Sequence, residues 1–388
     1  MLQTMLPALR LRNKTALPVV QGGMGVGVSA HRLAGSVARH GAVGTISSVD
    51  LRRHHPDLMA ATGGQCLDKA KIDAANLEAL DREIRAAREL AAGNGLIAVN
   101  VMRAVTQYAD YVRQACESGA DAIVVGAGLP LDLPDITANF PEVALIPILS
   151  DVRGTSLVLK KWLRKQRLPD AIVIEHPRYA GGHLGAANTG ELGDARFDFE
   201  QVLPGVRNVL RELGLENERI ALIAAGGINS HEKVTALMAM GADAVQLGTA
   251  FAVTEEGDAH PNFKKVLAEA KPEDIVTFMS VAGLPARAVR TPWLDSYLKR
   301  EEKLRSHASV RPRCTLAFDC LVQCGLRDGI AKIGQFCIDT QLAAALRGDV
   351  RKGLFFRGSE SLPFGDAIRP VRELLDYLLN GTQPVPAR

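Results

Sequence analysis

Between Leu17 and Phe251, eight short apolar, β-branched runs recur, alternating with longer amphipathic helical stretches. The runs are Leu17–Val20, Ala42–Ser47, Leu96–Met102, Ala122–Gly128, Ala144–Ser150, Ala171–His176, Ile220–Gly227 and Ala244–Phe251. Most are continuously apolar rather than alternating, the mark of parallel strands buried on both faces. Helical periodicity is clearest over Ser29–His40, Asn76–Gly93, Thr106–Gly119, Thr155–Gln166, Glu200–Leu213 and His231–Met240. A strand followed by a helix, eight times over, predicts an α/β chain folded as a (β/α)8 TIM barrel, whose usual size is roughly 250 residues.

Composition leaves room for more than the barrel. The chain has 388 residues, 47% apolar and 23% charged, as in ordinary globular proteins. That balance excludes a disordered, collagenous or coiled-coil chain. No apolar run reaches the ~18 residues of a membrane-spanning helix, and a net charge of +3 is too mild to indicate nucleic acid. The start, MLQTMLPALRLRNK, lacks the order of a signal peptide, so a cytoplasmic location is expected. The six cysteines then read as thiols or metal ligands rather than disulfides. We expect residues 1–253 to form the barrel, with an insertion at about 51–75. Residues 254–388 read as a mainly helical C-terminal extension that holds four of the cysteines.

GMGVGVSA (Gly23–Ala30), with Asp50 further on, matches a dinucleotide-binding fingerprint. The strand before it is short and proline-led, and the barrel explains the glycines better. TIM-barrel sites are built at the C-terminal strand ends, commonly with a phosphate site after strands 7 and 8. Glycines stand there: Gly22 and Gly23 after the first run, Gly226 and Gly227 after the seventh, Gly248 beside Thr249 at the eighth. Backbone N–H groups freed of side chains approach an anion closely, so a bound phosphate group is expected, and a barrel with such a site often holds FMN. Asn229 and Ser230 read as caps of the following helix.

His183 follows Gly181 and Gly182 just beyond the sixth run. An imidazole with a pKa near ~6.5 exchanges a proton at neutral pH, and bare flanks suit close approach to a flat cofactor. His31, His40, His231, His260 and His307 read as surface residues. His54, His55 and His176 are undecided from sequence.

PVVQGGMG near the N-terminus, VNVM, AGGHLG, AAGGI and QLGTAF together resemble the nitronate monooxygenase (2-nitropropane dioxygenase) family of FMN-dependent barrel enzymes. Flavin-dependent enoyl-carrier-protein reductases share these motifs. The resemblance covers about Pro18–Pro292. It implies FMN at the barrel mouth, with Gln21, Gly22, Gly23 and Met24 lining the ring and Asn100 touching the flavin. Gly181, Gly182, Gly226, Gly227, Gly248 and Thr249 would hold the phosphate end, and Gln246 the ribityl chain. Glu175 is placed among the cofactor-binding residues, and His183 is the implied catalytic residue. The family's glutamate directly before AGGH is replaced by Tyr179; the nearest acid is Glu175.

Cys314, Cys320, Cys324 and Cys337 are spaced C-x5-C-x3-C-x12-C, whereas Cys66 and Cys116 stand alone and read as core thiols. Four thiolates suit structural zinc or an iron–sulfur cluster. Zinc sites usually present two short knuckles, so the uneven spacing favours a 4Fe–4S cluster, with zinc as the alternative. With this block the chain resembles a flavin and iron–sulfur branch of the family that includes an acyl-carrier-protein dehydrogenase/isomerase of unsaturated fatty-acid synthesis. That resemblance runs through FCIDTQL and GLFFRG to Gly358. It implies oxidation and isomerisation of a medium-chain acyl thioester, with His183 as base and FMN as hydride acceptor. Oxidation of alkyl nitronates with oxygen is the competing activity, and a non-catalytic redox sensor the third reading. Between Arg287 and Arg313 lie Arg287, Arg290, Lys299, Arg300, Lys303, Arg305, Arg311 and Arg313. This stretch is either a docking surface for acidic acyl-carrier protein or a solvated helix face. No nucleic-acid or membrane partner is expected, and a homodimer is left open.

Overall fold

The computed structural model describes residues 2–63, 66, 68–310, 314 and 320–384. Eight parallel strands close a barrel in chain order. They are β1 (Val19–Gln21), β2 (Val43–Ser47), β3 (Leu96–Met102), β4 (Ala122–Gly126), β5 (Ala144–Leu149), β6 (Ala171–Glu175), β7 (Ala221–Ala225) and β8 (Ala244–Leu247). Closure is made by β8 on β1, with Val245 opposite Val19 and Gln246 opposite Val20.

Alternate residues of each strand serve two cores. Val20, Val43, Ala98, Val124, Ile146, Val173 and Ile223 point into the barrel. The same cluster takes in Leu9, Leu11 and Ala16 of the hairpin Leu9–Leu11/Lys14–Ala16, which therefore stoppers the N-terminal end. Val19, Val99, Ile123, Leu145, Ile172, Leu222 and Val245 face outward onto the helices.

The helix ring comprises α1 (His31–Arg39), α2 (Lys69–Ala91), α3 (Tyr108–Glu117), α4 (Val152–Leu163), α5 (Phe199–Glu212) and α6 (His231–Ala239). Asp151 and Ser230 cap α4 and α6, accepting hydrogen bonds from Gly154 N at 2.7 Å and Lys233 N at 3.3 Å. α2 starts at Lys69, not Asn76, because Asp68 caps it by accepting from Lys71 N. Its first turns are polar and alanine-rich, which hides the apolar period. Within the insertion, Pro56–Thr62 is also helical.

Beyond β8 the chain leaves the barrel and comes back. It forms α7 (Pro261–Glu269), the antiparallel ribbon β9 (Ile275–Met279) and β10 (Pro285–Val289), α8 (Ile338–Leu346) and α9 (Val371–Asn380). The ribbon departs from a mainly helical extension; β-branched Ile275, Val276 and Thr277 favour it. α9 returns to pack against α6 and α1. Its Val371, Leu374, Leu375 and Leu378 join the barrel core, and His231 Nδ1 lies 3.0 Å from Leu378 O. This helix thus takes the place in the ring after β8, while the connection from β4 to β5 carries only the one-turn helix Leu133–Ile136. No helix among the described residues is long and apolar enough to cross a membrane.

Candidate active site

A cavity of about 300 Å³ opens at the C-terminal ends of the strands, within the size range of small-molecule sites. One side of it is mostly backbone. Gly22, Gly23 and Met24 follow β1, Gly226 and Gly227 follow β7, and Gly248 and Thr249 follow β8; all line the cavity. Asn100 of β3, Glu175 of β6 and Gln246 of β8 join them. Gly226 and Gly227 both lie in the left-handed region, at φ +98° and +77°, and a Cβ on Gly227 would stand 2.9 Å from the Tyr179 ring. The turn after β7 therefore requires glycine and presents main chain to the cavity.

Gln21 is the exception among the predicted cavity residues. It is fully buried and staples β1 to β2, donating to Thr45 O at 3.0 Å and accepting from Thr45 N at 2.9 Å. Both ends of its amide are taken up, so it supports the glycine turn from behind.

The other side of the cavity is made of side chains. Gly182–His183 forms a two-residue strand on the edge of β10, with His183 opposite Ala286. A Cβ on Gly181 would stand 2.6 Å from the Arg357 carbonyl carbon and the Gly358 nitrogen, so only glycine fits. The His183 ring centroid lies 5.7 Å from that of Phe356. His183 Nε2 is buried and has no hydrogen-bond partner among the described residues. Burial lowers the imidazole to about 4, so it is neutral at pH 7 and able to accept a proton. Glu175 also faces the cavity; burial pushes its carboxyl up to about 7. Both groups favour their uncharged forms for the same reason, removal from water.

A backbone cradle of glycine turns at β1, β7 and β8, facing an unpartnered imidazole, fits FMN. The β7 and β8 turns suit the phosphate, and the pocket beside His183 suits the ring.

Sequence reasoning did not place the segment after α8 in the site. Phe356, Gly358, Glu360, Ser361, Leu362 and Pro363 line the cavity, forming a strap over the β7 and β8 turns. Gly358 N donates to Thr249 Oγ1 at 3.0 Å, Ser359 N to Tyr179 O at 3.1 Å, and Asn229 Nδ2 to Ser361 O at 3.0 Å. Lys233 Nζ bridges Gly227 O at 2.7 Å and Glu360 at 3.1 Å. The signal available in sequence was the glycine-bounded aromatic run in GLFFRG. Ile338, Leu342 and Ala345 of α8 and Phe263 and Leu267 of α7 supply an apolar flank, also missed.

Cys320 lines the cavity as well. Burial pushes its thiol up, and the nearby Asp339, Cys324, Cys337 and Cys314 push in the same direction, so the four predicted cysteines share one neighbourhood. Among the described residues no three His, Cys, Asp or Glu side chains stand close enough together to hold a metal ion. Residues 315–319, between two of these cysteines, lie outside the described set. Cys116 is buried as expected, its thiol pushed up to about 12; Cys66 is only half-buried and is no core thiol.

The undecided histidines are structural. His54 Nε2 lies 2.8 Å from Gly27 O, His55 Nε2 3.0 Å from Glu83, and His176 Nε2 3.2 Å from Asp198. His31 is not a free surface residue: its Nδ1 lies 2.7 Å from Glu83 Oε2. Arg287, expected on a basic surface, is buried; Arg290, Lys299, Arg300 and Lys303 are exposed, and Arg311 and Arg313 lie outside the described residues.

The sequence profile of the nitronate monooxygenase family matches residues 8–381. The probable nitronate monooxygenase of Bacillus subtilis (strain 168) is 26% identical over 288 residues, 72% of this chain and 78% of that protein. That of Staphylococcus saprophyticus is 25% identical over 188 residues, 47% of this chain and 50% of the relative. Among solved structures, FabK from Thermotoga maritima aligns with a TM-score of 0.63 at 22% identity, over 93% of this chain and 91% of that one. The nitroalkane oxidase from Streptomyces ansochromogenes aligns with a TM-score of 0.60 at 20% identity, over 93% and 94%. At these identities the two structures show a common fold.

Proposed function

This chain belongs to the nitronate monooxygenase family of FMN-dependent oxidoreductases, and within that family we propose that it oxidises, and then isomerises, a medium-chain acyl thioester carried on an acyl-carrier protein. The observation that carries this reading is the neutral, unpartnered His183 imidazole in a cavity whose flank, from α7 and α8, is apolar. An acyl thioester must lose a weakly acidic α-proton, which needs a base beside it, and its alkyl chain needs apolar surface. A preformed nitronate is already a carbanion equivalent and needs no base.

Bound FMN supplies the acceptor for the hydride that leaves the β-carbon. His183 Nε2 takes the α-proton. In the isomerisation the same nitrogen removes a proton from the γ-carbon and returns one to the α-carbon, so the double bond moves without further oxidation. Burial favours the neutral imidazole over the imidazolium, so a proton taken up by His183 is readily given back.

Two finer elements belong to the same reading. The C-x5-C-x3-C-x12-C spacing of Cys314, Cys320, Cys324 and Cys337 is the ground for a 4Fe–4S cluster in this reading, with Cys320 on the cavity wall. Anaerobically purified protein should contain iron and labile sulfide, and Cys320→Ser with Cys324→Ser should lose both; zinc in their place would exclude the cluster. Exposed Arg290, Lys299, Arg300 and Lys303 suit docking of an acidic carrier protein.

Anaerobic flavin reduction, followed by absorbance, tests the substrate. Rapid reduction by medium-chain acyl-carrier-protein thioesters is expected. Rapid reduction by alkyl nitronates with none by thioesters would replace this reading with nitronate oxidation, the activity named in the curated relatives.

A further inference from the structure

We propose that Arg287 is the positioning residue for His183: from outside the cavity its guanidinium grips the turn that leads into the catalytic strand and so sets where the imidazole stands. The inference rests on His183 being the base of the proposed reaction.

His183 Nε2 bonds to nothing among the described residues, so no partner at that nitrogen fixes the ring. Its place is set by packing beside Phe356 and by the backbone that carries it. That backbone is intrinsically loose, because Gly181 and Gly182 precede His183 and Gly182 sits at φ +71°. Glycine loses the most freedom on ordering, so something must hold the flanks.

Arg287 does so from the side of β10. Its Nη1 donates to Pro177 O at 3.2 Å and, by a shorter bond, to Ala180 O. Those carbonyls bracket the turn that ends where Gly181 begins. The Arg287 main chain holds the next residues: it stands opposite Gly182 in the ladder, and its carbonyl accepts from Arg357 N at 3.3 Å. One residue therefore fastens the turn before His183, the strand that carries it and the strap behind it.

The guanidinium is buried, and among the described residues no carboxylate pairs with it. A buried cation without a counter-ion is expensive unless hydrogen bonds satisfy it. An apolar side chain would fill the same space without that cost, so the two carbonyl contacts are what the arginine contributes. The other ionisable cavity groups, Glu175, Tyr179, Cys320, Asp339 and Glu360, make no ion pair with either residue.

The test uses flavin-loaded enzyme, wild type and Arg287→Met, labelled with ¹⁵N-histidine. The His183 signal is the one missing from His183→Ala. Three readouts are taken: the His183 titration, hydrogen exchange of residues 177–184, and kcat against KM. In wild type His183 should titrate well below the ordinary ~6.5. In Arg287→Met exchange should quicken over 177–184 alone, the titration should move up toward ordinary, and kcat should fall about 100-fold, the scale of a 1 Å misplacement. KM and flavin content should stay near wild type. A shifted titration without faster local exchange would mean that Arg287 acts by its charge and would overturn the proposal; so would no change in either. If Arg287→Met does not fold, Arg287→Gln, which keeps a two-hydrogen donor on a shorter stem, is judged by the same criteria. Normal turnover in His183→Ala would remove His183 as base yet leave the exchange and titration results standing on their own.

Discussion

The two sides of the cavity are built from different material. At β1, β7 and β8 the chain offers glycine turns, and main chain faces the ligand. Across from them, residues 179–183, braced by β10, and the start of the strap offer His183, Tyr179 and Phe356, while the rest of the strap reaches over the β7 and β8 turns. Main-chain donors suit a constant partner such as a phosphate, since they carry no side-chain identity to vary. Side chains on a separately braced loop suit the step that differs between relatives. The replacement of the family's glutamate by Tyr179 falls on this second side, and its ring packs on Gly227 and against His176, centroids 4.6 Å apart. The division predicts that changes on one side cost chemistry and changes on the other cost cofactor.

The largest effect should come from the side-chain wall. His183→Ala should lower turnover of an acyl thioester by roughly 10²–10⁴-fold, the usual value of a general base, with flavin content unchanged. Flavin reduction by a nitronate should suffer less. Loss of flavin together with activity would break the division, because His183 would then belong to the cofactor cradle.

The converse change is Gly227→Asp. It sets a carboxylate where the phosphate is expected, and its Cβ meets the Tyr179 ring at 2.9 Å in a left-handed turn. Charge and shape act together, so flavin affinity should fall by at least roughly tenfold, about 1.4 kcal/mol. Full flavin occupancy in the purified variant would move the phosphate elsewhere.

The sequence displays these two sides unequally. Continuous apolar runs gave the barrel strands to within a few residues, and the glycine turns were visible because φ and close approach admit few other residues. The strap was not, since its contacts to Thr249, Tyr179 and Asn229 join positions more than a hundred residues apart. Gln21 was misjudged for a related reason: a polar residue at a strand end looks the same whether it meets a ligand or, as here, Thr45. Arg287 carried the same ambiguity, and only the fold reveals that it points inward.

Glu175 and His183 sharpen the comparison through pH, because burial moves both toward neutrality with opposite signs. His183 titrates near 4 when folded against 6.5 unfolded. The unfolded chain binds more protons between those values, so this group's share of stability is lost as pH falls from 6.5 to 4. Glu175 titrates near 7 when folded against 4.5 unfolded. The folded state binds more protons in that window, so its share is lost as pH rises from 4.5 to 7. Melting temperatures of flavin-free protein should show this. His183→Gln should flatten the acid limb, and Glu175→Gln should gain on wild type as pH rises, each by up to about 3 kcal/mol. Parallel curves for all three proteins would place both groups in water.

Gly181 stands where the two sides meet, between the Arg287-held turn and the strap. Its missing Cβ lets the strap's main chain approach: a methyl there would lie 2.6 Å from both the Arg357 carbonyl carbon and the Gly358 nitrogen. Backbone cannot rotate aside as a side chain can, so Gly181→Ala must push strap and loop apart by several tenths of an ångström. Overpacking of this kind costs about 1–3 kcal/mol. The bond from Gly358 N to Thr249 Oγ1 lies directly behind the contact, so strain introduced on the His183 side is passed to the Thr249 turn. Gly181→Ala should therefore lower thermal stability modestly, weaken flavin retention and reduce turnover together, each by less than the variants confined to one side. A variant that loses turnover alone would mean that the strap yields without disturbing Thr249, and that the two sides are mechanically independent.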